Sequence, residues 1–125
     1  MTPHAKSLIL KAQDNLDTAK RNIDDQGQHE IVGYNLAQAC ENLLKALLTL
    51  RDIDFPEGDD AHDLDVMVAL LEEDNMTTIS SHADIIELTP YNSLSAHIPT
   101  GGRLNLREYM AYVEDLKQFV GQNAL

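Results

Sequence analysis

Histidine and acidic residues are the first candidates for chemistry in this 125-residue chain, because they could hold a metal ion. His62 and Asp65 are spaced i, i+3 and can share one helix face. Two side chains are too few for a metal site, and no HExxH or ExxH pair accompanies them. The sequence therefore predicts neither a metal site nor a cofactor, and a surface or capping role is the simpler interpretation of His62.

Nucleophilic catalysis also lacks a complete set of residues. Cys40 lies inside an apolar helical run, with no neighbour at helical spacing that would lower its pKa, so a buried structural thiol is expected. Ser80, Ser81 and His82 are adjacent in sequence and do not face one another on a helix. A single cysteine excludes an internal disulfide.

An anion site is the remaining option, at Gly101-Gly102-Arg103 before the last predicted helix. This stretch matches neither a P-loop nor a dinucleotide-binding motif. Arg103 and nearby backbone N–H groups could still attract an anion, because a helix N-terminus favours negative charge. A plain turn followed by a helix cap is the preferred interpretation.

Five helical segments must position these residues, since apolar side chains recur every three or four positions in each. The segments run from Pro3 to Asp25, His29 to Leu50, Ala61 to Glu73, Thr77 to Leu88, and from the Asn105 cap to about Gly121. In the fourth, Ile79, Ala83 and Ile86 are in helical phase, and Pro90 is expected to end or kink it.

The second segment is more apolar than a surface helix needs to be. Cys40, Leu44 and Leu48 widen the apolar stripe, which consists of Val32, Leu36, Ala39, Leu43, Leu47 and Leu50. Glu41 and Lys45 form an i, i+4 pair on what polar face remains. Such a helix is central to a bundle or shared between a core and a partner, and a homodimer is expected.

Composition favours helices packed on helices. Only 5% of residues are aromatic and tryptophan is absent, although 43% are hydrophobic, so the core must be aliphatic. We predict an all-α fold, an up-down four-helix bundle with one additional short helix, in a single domain over residues 1–125.

The charge balance bears on partners and location. Twenty-one acidic residues against nine basic ones give a net charge of −12, which opposes non-specific binding to DNA or to anionic membranes. No apolar run approaches the length of a membrane span, and the first residues lack a signal-peptide core. A cytoplasmic location is the expectation.

Four blocks of sequence together resemble the HEPN domain (higher eukaryotes and prokaryotes nucleotide-binding domain). The block in the second helix is Leu36-Ala37-Gln38-Ala39-Cys40-Glu41-Asn42-Leu43-Leu44-Lys45-Ala46-Leu47-Leu48. Ala12, Asn15-Leu16 and Ala19 resemble the family's first helix. The remaining blocks are Asp54-Phe55-Pro56 with Ala61-His62-Asp63-Leu64 and Leu70-Leu71, and Leu88-Thr89-Pro90-Tyr91 with Ala96-His97-Ile98-Pro99, which is similar to a "Y…ARYP" segment.

The resemblance implies a helical bundle, commonly a homodimer, often encoded beside a minimal nucleotidyltransferase in a two-component or toxin–antitoxin system. Some HEPN proteins are metal-independent ribonucleases that use an arginine followed four to six residues later by histidine. No arginine of this chain has a histidine at that spacing. His97 and Ile98 replace the arginine and tyrosine of the ARYP-like segment.

Three hypotheses follow. The leading one is a non-catalytic HEPN-like partner of a nucleotidyltransferase that helps to bind a nucleotide or position a substrate. The alternative is a divergent ribonuclease or nucleotide-processing enzyme, with His97 for proton transfer and Arg103 for phosphate charge as its catalytic candidates. Tyr91, His97, Arg103 and His62 are the predicted ligand-binding residues for a nucleotide or RNA. A helical bundle that binds another small molecule is the third.

Overall fold

The computed structural model describes residues 2–93, residue 98 and residues 102–123. It contains α1 (Pro3–Asn22), α2 (His29–Leu50), α3 (Leu64–Glu73), a long 3₁₀ helix (Thr77–Tyr91) and α4 (Leu106–Asn123). Short 3₁₀ turns at Gln26–Gln28 and Gly58–Asp60 lie in the connections after α1 and α2. The described residues contain no strand, and the predicted all-α helical bundle is confirmed.

The second helix is the centre of the fold. α2 packs against α1, α3, the 3₁₀ helix and α4, and 12 of its 22 residues are buried. Leu44 and Leu48, which widened the predicted apolar stripe, are both 0% exposed. The chain's own core thus covers the apolar face that suggested a dimer, so a homodimer stays a prediction and would need another surface. In the described part of the chain, no helix is both long and apolar enough to cross a membrane.

The first helix packs beside α2 through its small and aliphatic residues. The residues of the first segment that recur at helical spacing are Leu8, Ala12, Leu16, Ala19 and Ile23. The first four are buried, whereas Ile23 follows α1 and is half-buried. α1 ends at Asn22, earlier than predicted, because the chain then turns into Gln26–Gln28, where the Asp25 carboxylate accepts the Gly27 N–H at 3.0 Å. Asn15 ties α1 to α2, since its side-chain amide bonds the amides of Asn35 at 3.2 Å and Asn42 at 3.1 Å.

The 3₁₀ helix buries residues at intervals of three or six positions. Its buried residues are Ile79, Ile85, Leu88 and Tyr91. This spacing matches three residues per turn, so the α-helical phase predicted for Ile79, Ala83 and Ile86 is corrected: the last two are only half-buried. The helix also passes through Pro90 and ends at Tyr91, one position beyond the proline expected to end it. Tyr91 is thereby placed against α2.

The two remaining α-helices begin at side-chain caps. Asp63 caps α3 by accepting the Asp65 N–H at 3.0 Å, so this helix begins at Leu64 rather than at the predicted Ala61. The predicted Asn105 cap is confirmed, with its oxygen 3.5 Å from the Glu108 nitrogen. α4 continues past Gly121, the predicted end, to Asn123.

Candidate functional site

The N-termini of α2 and α4 open on one cleft of about 330 Å³. Its polar lining comes from the turn after α1, the start of α2 and the start of α4. The lining residues are Ile23, Asp25, Gln26, His29, Val32, Arg103, Leu104, Asn105, Leu106 and Arg107. An adjacent depression of about 300 Å³ shares Gln26, His29 and Arg103 with it. These two helix N-termini supply the positive ends of their dipoles to the same region.

Tyr91 fixes the histidine of this cleft. The Tyr91 phenol oxygen lies 2.8 Å from Nε2 of His29, and the backbone N–H of Leu104 donates to the same oxygen at 3.1 Å. Because one acceptor position of the phenol is filled by Leu104, its O–H can donate to Nε2 of a neutral His29. The proton of the imidazole then lies on Nδ1. One buried tyrosine thus joins the first residue of α2 to the segment before α4.

Tyr91 reaches this position because α2 has no side chain beneath its ring. A Cβ added at Gly33 would lie 2.1 Å from Cδ1 of Tyr91 and 2.7 Å from Cε1. Gly33 is buried inside α2, where glycine costs about 1 kcal/mol relative to alanine. The close approach of the ring explains why glycine occupies this position.

Burial and charge both favour the neutral form of His29. Burial of the imidazole lowers the pKa of His29, and the positive charge of Arg103 lowers it further, while Glu30 acts in the opposite direction. With Nε2 bonded to Tyr91 and the proton on Nδ1, the neutral imidazole can donate a hydrogen bond to an anion that binds beside the Arg103 guanidinium.

The two arginines of the cleft differ in their partners. Arg107 forms an ion pair with Asp24. Arg103 is exposed, and no carboxylate in the described part of the chain forms an ion pair with it. The Asp25 carboxylate is engaged by the Gly27 N–H. Arg103 is therefore the cation most available to a ligand in this cleft.

A second polar cluster surrounds Glu41, further along α2. Glu41 is 4% exposed and is the buried charged residue of the described core. Its carboxylate accepts hydrogen bonds from Nδ1 of His62 at 2.8 Å, Nζ of Lys45 at 3.1 Å and the Asn92 amide at 3.0 Å. Glu41 was predicted to lie on a polar face, and the structure corrects this because His62 and Asn92, which are distant in sequence, enclose the carboxylate together with Lys45.

Opposing effects set the protonation of Glu41. Burial alone would raise the pKa of this carboxyl group, but the hydrogen bonds from His62, Lys45 and Asn92 bring its pKa below the ordinary value. Glu41 is thus a buried carboxylate that remains charged at neutral pH, held by three donors from different parts of the chain.

The structure divides the predicted site residues between these two places. Arg103 and His29 line the cleft, whereas Tyr91 is buried behind it and meets it through the hydrogen bond to His29. His62 lies in the Glu41 cluster, and Glu41 is twelve residues from His29 on α2, about 18 Å along the helix axis. His97 lies outside the described residues.

Neither the role of His29 in the cleft nor the burial of Glu41 was predicted from the sequence. The position of His29 at the start of a helix could be predicted, because a glycine lies just before it, but its contact with Tyr91 could not, since Tyr91 is 62 positions away. Cys40 is buried as predicted, and burial raises the pKa of its thiol well above the usual range. In the ranges that the structure describes, no three His, Cys, Asp or Glu side chains are grouped as a metal site would require.

The amino-acid sequence matches the family model of the HEPN domain over residues 5–122. The chain belongs to the HEPN-domain family. No curated protein and no solved structure matches it significantly. In this HEPN domain, the matched region includes the cleft at His29 and Arg103 and the cluster around Glu41.

Proposed function

We propose that this HEPN domain is a non-catalytic partner of a minimal nucleotidyltransferase, and that its cleft binds the phosphate groups of a nucleotide. The observation that carries the proposal is Arg103, a cation with no carboxylate partner among the described residues, beside the neutral His29. Guanidinium groups bind phosphate oxygens through paired N–H donors.

The surroundings of Arg103 suit a phosphate better than a cation. The N-termini of α2 and α4 open on the same cleft, and helix N-termini favour anions. Asp25 lines the cleft and Glu30 lines the adjacent depression, but the carboxylate of Asp25 accepts the Gly27 N–H and that of Glu30 accepts the Ile98 N–H. The apolar walls formed by Ile23, Val32 and Leu106 offer a surface for the remainder of a nucleotide.

Nucleotide binding is expected to depend on Arg103. Replacing Arg103 with glutamine should weaken ATP binding about tenfold or more, since a hydrogen bond to a charged group contributes about 1.5–3 kcal/mol. Isothermal titration calorimetry with ATP, and separately with inorganic phosphate, measures the change.

The matched control is Arg51→Gln. Arg51 follows α2 at its far end and pairs with Asp74, so its removal changes the net charge equally without touching the cleft. We expect Arg51→Gln to bind ATP like the wild type. Equal affinity of wild type and Arg103→Gln, or no ATP binding by the wild type, would contradict nucleotide binding at this cleft.

The partnership is tested by co-expression with the nucleotidyltransferase encoded nearest to this protein. A stable complex on size-exclusion chromatography, together with a change in transferase activity, would support it. The homodimer and a toxin–antitoxin pairing remain part of the same proposal. A monomer that neither binds nor influences any neighbouring nucleotidyltransferase would contradict it.

A divergent ribonuclease is the second candidate, and His29 favours it. The Nδ1–H of a neutral His29 and the guanidinium of Arg103 place a hydrogen-bond donor and a positive charge side by side, and the two together can stabilise a developing phosphorane. The test is cleavage of labelled RNA in EDTA by the wild type, His29→Gln and His97→Gln. Cleavage that either substitution abolishes supports the enzyme, whereas cleavage equal in all three proteins assigns it to a contaminant.

A further inference from the structure

Two consecutive residues connect the cleft to the Glu41 cluster. Tyr91 ends the 3₁₀ helix and bonds His29, while the next residue, Asn92, bonds the middle of α2. The backbone N–H of Asn92 also donates to Thr89 at 3.0 Å, which closes the last turn of the 3₁₀ helix. A shift of the Asn92 backbone is therefore transmitted to Tyr91, the residue before it.

The Asn92 side chain is held at three points. Its Nδ2 donates to Oε1 of Glu41 and to the backbone oxygen of His62, both at 3.0 Å. Its Oδ1 accepts from Nε2 of Gln38 at 2.5 Å. Both donor positions and one acceptor position of the amide are thus used, which leaves little rotational freedom at this residue.

The negative charge of Glu41 determines how the Asn92 amide is oriented. Glu41 can only accept hydrogen bonds when ionised, so it selects the amide nitrogen of Asn92 over its oxygen. Lys45 and His62 hold the carboxylate from other sides. A carboxylate enclosed in this way cannot follow Asn92 to a new position without losing its other donors.

We propose that Glu41 and Asn92 act as positioning residues for the cleft, because they set where Tyr91 holds the imidazole of His29. The coupling acts over about 18 Å of α2, between two clusters that share the Tyr91–Asn92 junction. It rests on the proposed function only in its consequence for phosphate affinity. The position of His29 itself can be measured without a ligand.

The test exchanges the carboxylate and the amide. Asn92→Asp places two carboxylates together and should release Tyr91 from His29. The double variant Glu41→Gln with Asn92→Asp restores a hydrogen bond at this contact with its direction reversed, because the amide at position 41 now donates to the carboxylate at position 92. Asn123→Asp is the control, since Asn123 is the last residue of α4, at the end opposite the cleft.

Two readouts separate positioning from general stability. NMR spectra of the imidazole nitrogens report the titration midpoint and tautomer of His29, and the same samples are titrated with inorganic phosphate. In Asn92→Asp, the His29 midpoint should rise towards its ordinary value, and phosphate should bind about tenfold more weakly. In the double variant, the His29 midpoint and the phosphate affinity should both return most of the way to the wild-type values. Asn123→Asp should match the wild type in both.

Gln38→Met keeps the proposal testable if Asn92→Asp does not fold. It removes one of the three Asn92 contacts and should change the His29 midpoint in the same direction by less. A folded Asn92→Asp or Gln38→Met with an unchanged His29 titration would overturn the positioning role. If the wild type binds no phosphate, the proposed function fails, and the His29 spectra still decide whether Glu41 and Asn92 position the cleft.

Discussion

Alanine in place of Gly33 is expected to lower the free energy of unfolding by about 2–4 kcal/mol. The new Cβ would lie 2.1 Å from the Tyr91 ring, which is 2% exposed and cannot swing into solvent without leaving the core. Overpacking costs about 1–3 kcal/mol, and each lost Tyr91 hydrogen bond adds about 1 kcal/mol. The better helix propensity of alanine returns only about 1 kcal/mol. Urea denaturation at pH 7 measures the difference.

Gly121→Ala is the matched control for this prediction. Gly121 also lies within a helix, but it is exposed, and an added Cβ would meet nothing within 4 Å. This variant should be as stable as the wild type or up to about 1 kcal/mol more stable. Combining Gly33→Ala with Tyr91→Leu should recover part of the loss. A Gly33→Ala protein that behaves like Gly121→Ala would show that Tyr91 does not lie on α2 at this point.

The sequence predicted the helices best where packing follows the α-helical period. The bounds of α2, His29 and Leu50, match the prediction, because an uninterrupted apolar stripe between a glycine and a polar loop specifies both ends. Four of the five residues predicted for the apolar stripe of the first helix are also buried, and the fifth, Ile23, lies just beyond the end of α1. These elements depend on residues three or four positions apart, which a single sequence displays directly.

The 3₁₀ helix could not be derived in the same way. Ile79, Ile85 and Leu88 fit a period of three, whereas Ile79, Ala83 and Ile86 fit the α-helical period, and both sets are apolar. Over fifteen residues the two patterns coexist, so the choice depends on which face meets α2 and α3. That information lies in tertiary packing rather than in local spacing.

The candidate site was only half predictable for a related reason. Arg103 was identified because it precedes a capped helix, a local signal. The contact of His29 with Tyr91 spans 62 positions and that of Glu41 with Asn92 spans 51. Glu41 was instead assigned to its i, i+4 neighbour Lys45, a pair that does form but does not reveal burial. The part of the site that could not be predicted is therefore the part built from polar contacts between residues far apart in sequence.

Removal of the Glu41 carboxylate is the second large effect that we expect. Glu41→Ala should lower the free energy of unfolding by about 3 kcal/mol, because deleting one member of a buried charged cluster leaves its partners unsatisfied. The loss should lie at the lower end of the usual range, since the His62 side chain is 67% exposed and can be hydrated. Glu41→Gln should cost less, because the amide keeps the shape and one acceptor oxygen.

The pH dependence identifies the charge as the cause. The pKa of Glu41 is lower in the folded protein than its ordinary value of 4.5, so the folded state binds this proton less readily than the unfolded state. The stabilisation is therefore complete above about pH 4.5 and is lost as the pH falls through the folded pKa. Urea denaturation between pH 7 and pH 3 should show the stability difference between wild type and Glu41→Gln shrinking below pH 4.5.

Asp74→Asn provides the same change of carboxylate to amide at a surface ion pair. The partners of that pair, Arg51 and Asp74, have side chains that are 33% and 46% exposed, so the substitution should cost no more than about 1 kcal/mol. If Glu41→Gln costs no more than Asp74→Asn at pH 7, the carboxylate is not held by its three donors. A difference that stays constant down to pH 3 would contradict a lowered pKa. The comparison of Glu41→Gln with Asp74→Asn therefore also tests whether the Glu41 carboxylate holds Asn92 and, through it, Tyr91.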